Sequence, residues 1–322
     1  MTTTVAVLFP GQGSQAVGMG KTLLERSVAA RRTFAEADEA LGFALSQTIL
    51  EGPADALKRT ATTQPAIVTT SIAAWRALEE AGAFSNHFKP AFAAGHSLGE
   101  YAALVATGSI SFQAAVTAVR ARGSFMQEAV PEGVGAMAAV LGMDAASIRA
   151  VVDEVSSDDA YVACANFNGP EQTVIAGTVK GVEVATAALK AKGAKRVMLL
   201  TVSAPFHCAL MKPVQPRLDD VLGSITISAP LFPVVSNVEA TANSDAARVR
   251  GLLVEQVTAP VRFTEIAQFL IAAGVTTFVE VGPGKALIGM VKRTPGFDAA
   301  TMKLLNVEDA VSLDATVNAL NA

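Results

Sequence analysis

The chain has 322 residues, of which 51% are hydrophobic and 17% charged, with a formal net charge of −4. That length allows one large domain or two smaller ones around a substantial core, and the acidic balance argues against a broad nucleic-acid surface. The two cysteines, Cys164 and Cys208, lie far apart. They offer neither a metal-ligand spacing nor a disulfide framework, which fits a reducing cytoplasm.

Met1-Thr2-Thr3-Thr4 lacks a basic n-region, and the apolar run Val5–Phe9 is too short for a signal peptide or a membrane span. A complete, soluble, cytoplasmic protein with no membrane partner is therefore expected. Val5–Phe9 reads as a buried strand, stopped by the glycine-rich Pro10-Gly11-Gln12-Gly13-Ser14-Gln15. Helical patterns follow over Leu23–Glu39 and around Leu57. Gln64-Pro65 opens a further helix, Ala66–Ala81, with the proline in its first turn.

Ala91-Phe92-Ala93-Ala94 reads as the end of a buried strand, and Glu100–Ala106 as a helix. Between them stands Gly95-His96-Ser97-Leu98-Gly99, a G-x-S-x-G in the strand–turn–helix setting of a nucleophile elbow. Gly95 and Gly99 remove side chains from the bend, and the Leu98 N–H sits at the positive end of the new helix, where an oxyanion would form. A chance G-x-S-x-G in a Gly- and Ala-rich chain is the alternative; the flanking strand and helix favour the elbow.

A helix follows near Phe112–Ala129. From about Gly133 the rhythm changes to strand 135–141, helix 146–155, strands 161–166 and 173–177 around Asn168-Gly169-Pro170, helix 182–192 and strand 195–201. The order βαββαβ is ferredoxin-like. Beyond Pro205 the chain returns to the main sheet with strands over Leu231–Ser236 and Thr277–Val281. The expected fold is α/β: a hydrolase-like, mostly parallel sheet core formed by 1–132 and 203–322, with a small ferredoxin-like subdomain inserted at 133–202.

A serine nucleophile needs a base, and there are only three histidines. His96 adjoins Ser97 and points elsewhere in a turn; His87 falls in a partly polar connection, expected at the surface. His207 follows the inserted segment, where a loop can reach the cleft between subdomains, although a core or capping histidine is the plain alternative. Arg122 falls at the edge of the apolar face made by Phe112, Ala115, Val116, Val119 and Met126, beside Ala115, whereas Arg120 aligns with the polar face. An inward arginine needs an anion, either a structural Asp or Glu or a substrate carboxylate that fits its fork. Gln12, in the loop after the first strand, borders the crevice of an open α/β sheet and can supply a second oxyanion N–H. Gly11–Ala16 also meets a lax dinucleotide template, but the acidic residue that template needs would fall inside a helix near Glu36 or Asp38, so nucleotide binding ranks low.

Taken in order, these segments resemble the malonyl-CoA:acyl carrier protein transacylase family over nearly the whole chain. The resemblance rests on Phe9–Gln15, Gln64-Pro65-Ala66, Gly95–Glu100, Arg122-Gly123 with Met126-Gln127, Pro205-Phe206-His207, Asn237-Val238 and Glu280–Gly284. It implies ping-pong transfer of malonyl from malonyl-CoA to acyl carrier protein, supplying fatty-acid or polyketide synthesis. Ser97 would be the nucleophile, His207 the base, Gln12 and Leu98 the oxyanion donors, and Arg122 the carboxylate binder. Gln64 would help bind substrate, and Phe206 beside the base hints at a small acyl group. The histidine would be steered by a main-chain carbonyl, at Gln256, with Asn237 ordering its loop. No cofactor and no metal are implied, coenzyme A entering as a thioester substrate, and a monomer is expected. Lys190, Lys192, Lys195, Arg196, Lys292 and Arg293 are candidate contacts for an acidic carrier. The rivals are a serine hydrolase of esters or thioesters and a catalytically silent docking scaffold.

Overall fold

The computed structural model describes residues 3–84, 90–131, 133–202 and 204–321. Ten strands are found among these residues: β1 (Val5–Phe9), β2 (Phe92–Gly95), β3 (Gly135–Leu141), β4 (Val162–Gly169), β5 (Gln172–Thr178), β6 (Arg196–Leu199), β7 (Val234–Val235), β8 (Ala242–Asn243), β9 (Thr277–Val281) and β10 (Lys303–Val307). They form two sheets. The first has the order β10-β9-β1-β2-β7-β8 and is parallel except for β8; the second has the order β4-β5-β3-β6 and is antiparallel throughout. In the second sheet the strand order, with its two helices Ala145–Val155 and Val179–Ala191, is that of a βαββαβ ferredoxin-like unit.

β1 is a continuous apolar run because both of its faces are covered. Val5, Val7 and Phe9 pack into one cluster and Ala6 and Leu8 into the opposite one, as the two-residue period of a strand requires. β1 is flanked by β2 and β9 with Phe9 opposite Gly95. The loops after these parallel strands therefore leave the same carboxyl edge, where open α/β sheets place their ligands. The antiparallel sheet divides its faces similarly. Ala138 and Val140 pack against its own two helices, while Met137, Ala139 and Val174 face the other way. β4 is stitched to the main unit by Phe167 N–H to Val261 O (2.8 Å) and Val261 N–H to Ala165 O (2.9 Å).

Three local expectations change. The pattern over 23–39 is two helices, Lys21–Arg26 and Val28–Leu41, separated by Ser27, which is extended and whose hydroxyl caps the second by accepting from Ala30 N–H (3.0 Å). Pro65 lies inside a helix that already starts at Thr60 (Thr60–Glu80), rather than in its first turn. An interior proline deprives the carbonyl four residues earlier of its donor. Here that carbonyl, Ala61 O, accepts from Arg120 Nη1 at 2.7 Å. The strand expected over 231–236 shrinks to Val234–Val235, because Pro233 has no N–H and Leu231 stays 84% exposed.

Candidate active site

β2 ends in the sharp turn that carries Ser97. The turn leaves no room for side chains: a Cβ on Gly95 would lie 2.0 Å from the Gly99 carbonyl carbon, and one on Gly99 would lie 2.2 Å from Phe9 O. Ser97 itself is held at φ 53°, a left-handed conformation unusual for a residue with a side chain. Asn237 braces this strain. Its Oδ1 accepts from Ser97 N–H (2.7 Å) and its Nδ2 donates to Gly95 O (2.6 Å). Asn237, expected from the sequence to order the histidine loop, thus makes its side-chain bonds to the serine turn instead, because β7 lies directly beside β2.

His207 also has a left-handed backbone (φ 58°), which turns its ring inward. Its Nδ1 is 2.9 Å from the main-chain oxygen of Gln256, and its Nε2 is 2.8 Å from Ser97 Oγ. A carbonyl oxygen can only accept, so Nδ1 carries the proton and Nε2 offers its lone pair to the serine hydroxyl. Burial, then the neighbouring charge of Arg122, pushes the His207 pKa down to about 3, so the ring is neutral in the resting site, with Nε2 unprotonated.

Arg122 is 1% exposed, on the apolar face of the helix Phe112–Ala129. Nη1 donates to Gln64 Oε1 (2.8 Å); Nη2 donates to Gln256 Oε1 (2.9 Å) and to Ser97 Oγ (3.1 Å). Its Nε is buried without a partner. None of the ion pairs among the described residues includes Arg122. A buried guanidinium whose hydrogen-bond partners are all neutral oxygens suits a carboxylate in its fork, and such a carboxylate would lie against the serine hydroxyl. Gln64, expected to touch substrate, holds the guanidinium from behind and also lines the cavity.

Ser97, His207, Arg122, Gln12, Gln64 and Phe206 all face one cavity of about 350 Å³. The far wall comes from the antiparallel sheet: Met137, Val174, Asn166 and Asn168. A larger groove of about 710 Å³ beside Trp75, Phe112 and Leu231 contains none of the three reactive groups. Among the described residues, neither the Gln12 nor the Leu98 main-chain N–H is donated to another protein group. Both remain available to a developing oxyanion at the carboxyl edge.

His96 turns away from Ser97 as expected, and its Nε2 pairs with Asn168 Oδ1 across the cleft at 2.9 Å. His87 lies outside the described residues. Cys208 is buried with its thiol on Pro205 O (3.1 Å), and burial pushes its pKa up to about 11. Two features escaped the sequence reading. Asn166 and Asn168 alternate along β4, and two polar residues at inward positions of a strand are the signal that could have found them. Glu100, which in sequence looks like a helix former after the elbow, is 4% exposed. No cluster of three His, Cys, Asp or Glu side chains among the described residues could hold a metal ion, and no described helix is long and apolar enough to cross a membrane.

Comparison with known proteins points the same way. The profile of the acyl transferase domain family matches residues 7–309. The malonyl CoA-acyl carrier protein transacylase of Bacillus subtilis is 49% identical over 316 residues, covering 98% of this chain and 97% of that protein. The Escherichia coli K12 protein of the same name is 46% identical over 310 residues, covering 96% and 98%. Among solved structures, a malonyl transacylase in complex with the holo acyl carrier protein of a type II polyketide system superposes with a TM-score of 0.93 at 43% identity, covering 98% of this chain and all of that one. The acyl carrier protein S-malonyltransferase of Vibrio cholerae gives 0.91 at 42% identity, covering 97% and 99%.

Proposed function

The chain belongs to the malonyl-CoA:acyl carrier protein transacylase family, and from that membership we propose that it moves a malonyl group from coenzyme A to the phosphopantetheine thiol of an acyl carrier protein through an ester on Ser97. The observation that carries this reading is the ion-free buried guanidinium of Arg122, 3.1 Å from a serine oxygen that is itself 2.8 Å from a neutral imidazole. A malonyl thioester supplies one carboxylate for the first group and one electrophilic carbonyl for the second.

In the first half-reaction the Ser97 oxygen attacks the thioester carbonyl as its proton passes to His207 Nε2. The carbonyl oxygen takes the negative charge, facing the N–H groups of Gln12 and Leu98. Collapse breaks the carbon–sulfur bond, and the departing thiolate takes the proton back from His207. The carrier thiol then attacks the malonyl ester, again giving its proton to His207, and collapse returns that proton to Ser97. The Nδ1–H bond to Gln256 O keeps the ring oriented through both halves.

Substrate binding also prepares the base. The Arg122 charge is one cause of the low His207 basicity. A malonyl carboxylate on that guanidinium offsets the charge and lets the imidazole accept a proton more readily. An acyl group without the carboxylate makes no bond to the guanidinium and leaves the base weak. The segment 133–202 acts as the smaller subdomain closing the cavity. Of the basic positions noted in the sequence, Lys192 and Lys195 are engaged by Glu154 and Glu171, whereas Arg293 donates to Gln172, a residue of the cavity wall, and is the position put forward for contact with an acidic carrier. The two thiols are free, as suits a cytoplasmic protein, and the reaction needs no cofactor beyond its thioester substrate.

Two results are expected. With malonyl-CoA and holo carrier protein, the malonyl-carrier thioester accumulates, and coenzyme A release beyond one equivalent requires the carrier. Equal release without carrier, yielding free malonate, would make the protein a hydrolase. The second concerns pH. Because His207 stays neutral far below the ordinary imidazole value, kcat/KM for acylation does not fall on acidification from about pH 8 to about pH 5. An acid limb centred near 6.5 would contradict this. The folded pKa lies below the unfolded one, so the unfolded chain takes the proton first. The contribution of His207 to native stability is therefore complete above about 6.5 and is lost as pH falls from that value toward about 3.

A further inference from the structure

Glu100 takes no part in the steps above, yet it bonds the two residues, Gln256 and Asn237, that hold Arg122, His207 and Ser97 in place. It begins the helix Gly99–Ala106 and is 4% exposed. Its Oε2 accepts from Gln256 Nε2 (2.7 Å) and from Asn237 N–H (3.1 Å). The same Gln256 amide accepts from Arg122 and donates to Ser97 O (3.1 Å), and its main chain holds His207. A buried carboxylate and a buried guanidinium thus face each other through one carboxamide, without touching. Each favours the charged form of the other.

The surroundings of Glu100 are otherwise free of charge. From the helix Ala246–Gln256 it meets the Gln256 amide, and from the segment after β7 the Asn237 N–H. The helix Phe112–Ala129 contributes Arg122, and its own helix contributes Tyr101, whose hydroxyl is buried and held protonated. His207 lies on the far side of Gln256. In the resting site the Glu100 carboxylate is therefore the only anion answering the Arg122 charge. A substrate carboxylate arriving on Arg122 brings a second negative charge into the same dry cluster, where one guanidinium cannot offset two anions.

We propose that Glu100 is the resting counter-ion of Arg122, and that it takes one proton from solvent as the malonyl carboxylate replaces it in that role. The cluster then keeps the same total charge with and without substrate. A proton on Oε1 leaves both hydrogen bonds to Oε2 intact, so the exchange needs no rearrangement around Ser97. Burial pushes the Glu100 pKa up to about 7, which puts the exchange within reach of neutral solution. Glu100 is a positioning residue here: it touches no reacting atom and acts on binding through Arg122 and Gln256. The inference rests on the reading of Arg122 as the carboxylate binder.

The test uses the full-length Ser97→Ala protein, in which binding can be measured without acylation. Malonyl-CoA and acetyl-CoA are compared by titration calorimetry in buffers of different ionisation enthalpy, so the shared coenzyme A phosphates cancel. Malonyl-CoA should bind with proton uptake and acetyl-CoA without it. Between about pH 6.5 and about pH 8.5 the malonyl-to-acetyl Kd ratio should rise with pH, by up to about tenfold per unit. Adding Glu100→Gln keeps an oxygen for both donors and removes the charge, so the uptake and the slope should vanish. Unchanged uptake in that double variant overturns the inference. If it fails to fold, the infrared difference spectrum of the Ser97→Ala protein with the two ligands decides. A new protonated-carboxyl band with malonyl-CoA only supports the exchange, and its absence refutes it. Adding Arg122→Ala separates the two ideas: a malonyl preference that survives there removes the functional reading itself, whereas a preference lost there together with uptake that ignores Glu100→Gln removes only this inference.

Discussion

Ser97→Ala loses malonyl transfer by on the order of 10⁶-fold, the scale on which serine enzymes respond to removal of their nucleophile. The reason is geometric. Among the described residues, Ser97 Oγ is the one hydroxyl that meets both the lone pair of His207 (2.8 Å) and the Arg122 fork (3.1 Å). The turn that presents it has no other nucleophile: Gly95 and Gly99 carry none, Leu98 is apolar, and His96 is committed to Asn168. Alanine tolerates the φ of 53° no worse than serine does, and Asn237 bonds the main chain rather than the hydroxyl. The variant should therefore fold, and its loss should read as chemistry. Intact-protein mass spectrometry after incubation with malonyl-CoA should show an adduct on the native chain and none on the variant. An adduct that persists would assign the nucleophile elsewhere.

The second large effect is a change of preference. Arg122→Ala should lower kcat/KM for malonyl-CoA relative to acetyl-CoA by on the order of 10⁴-fold, the discrimination available to a site whose buried polar group is left unpaired by the wrong ligand. Two causes act together. The malonyl carboxylate would lose the guanidinium beside Ser97, and the charge that suppresses His207 disappears. Acetyl transfer should accordingly rise in absolute terms. The ratio of the two substrates is insensitive to any fraction of misfolded protein, which matters because the substitution strips donors from Gln64 and Gln256. An unchanged ratio would leave Arg122 with a purely structural role.

How much of this was legible in the sequence follows from the range of each interaction. The serine turn was readable because its demand is steric and local: two glycines, a strand and a helix within a dozen residues. The helix Phe112–Ala129 and the inward side of Arg122 followed from a periodic apolar face, and the βαββαβ order from the alternation of patterns. The bonds that arm the site were not readable from local pattern. Asn237 meets Ser97 across 140 residues and Gln256 meets it across 159, and no local pattern links them. The carbonyl of Gln256 came from family likeness, while the three bonds of its side chain, to Arg122, Ser97 and Glu100, had no sequence signal. Pro65 misled for a related reason. Proline marks a helix start unless something else serves the orphaned carbonyl, and Arg120, a distant residue read as polar surface, does so. Glu100 carries no such signal, because a glutamate suits a helix's first turn equally well buried or exposed.

The convergence of Ser97, His207 and Arg122 is tested most directly by a crystal structure of the wild-type protein trapped with malonyl-CoA. Density should run from Ser97 Oγ as an ester, its carbonyl oxygen toward the N–H groups of Gln12 and Leu98 and its free carboxylate on the Arg122 guanidinium. A malonyl group attached to another residue, or one on Ser97 whose carboxylate turns away from Arg122 into solvent, would contradict it.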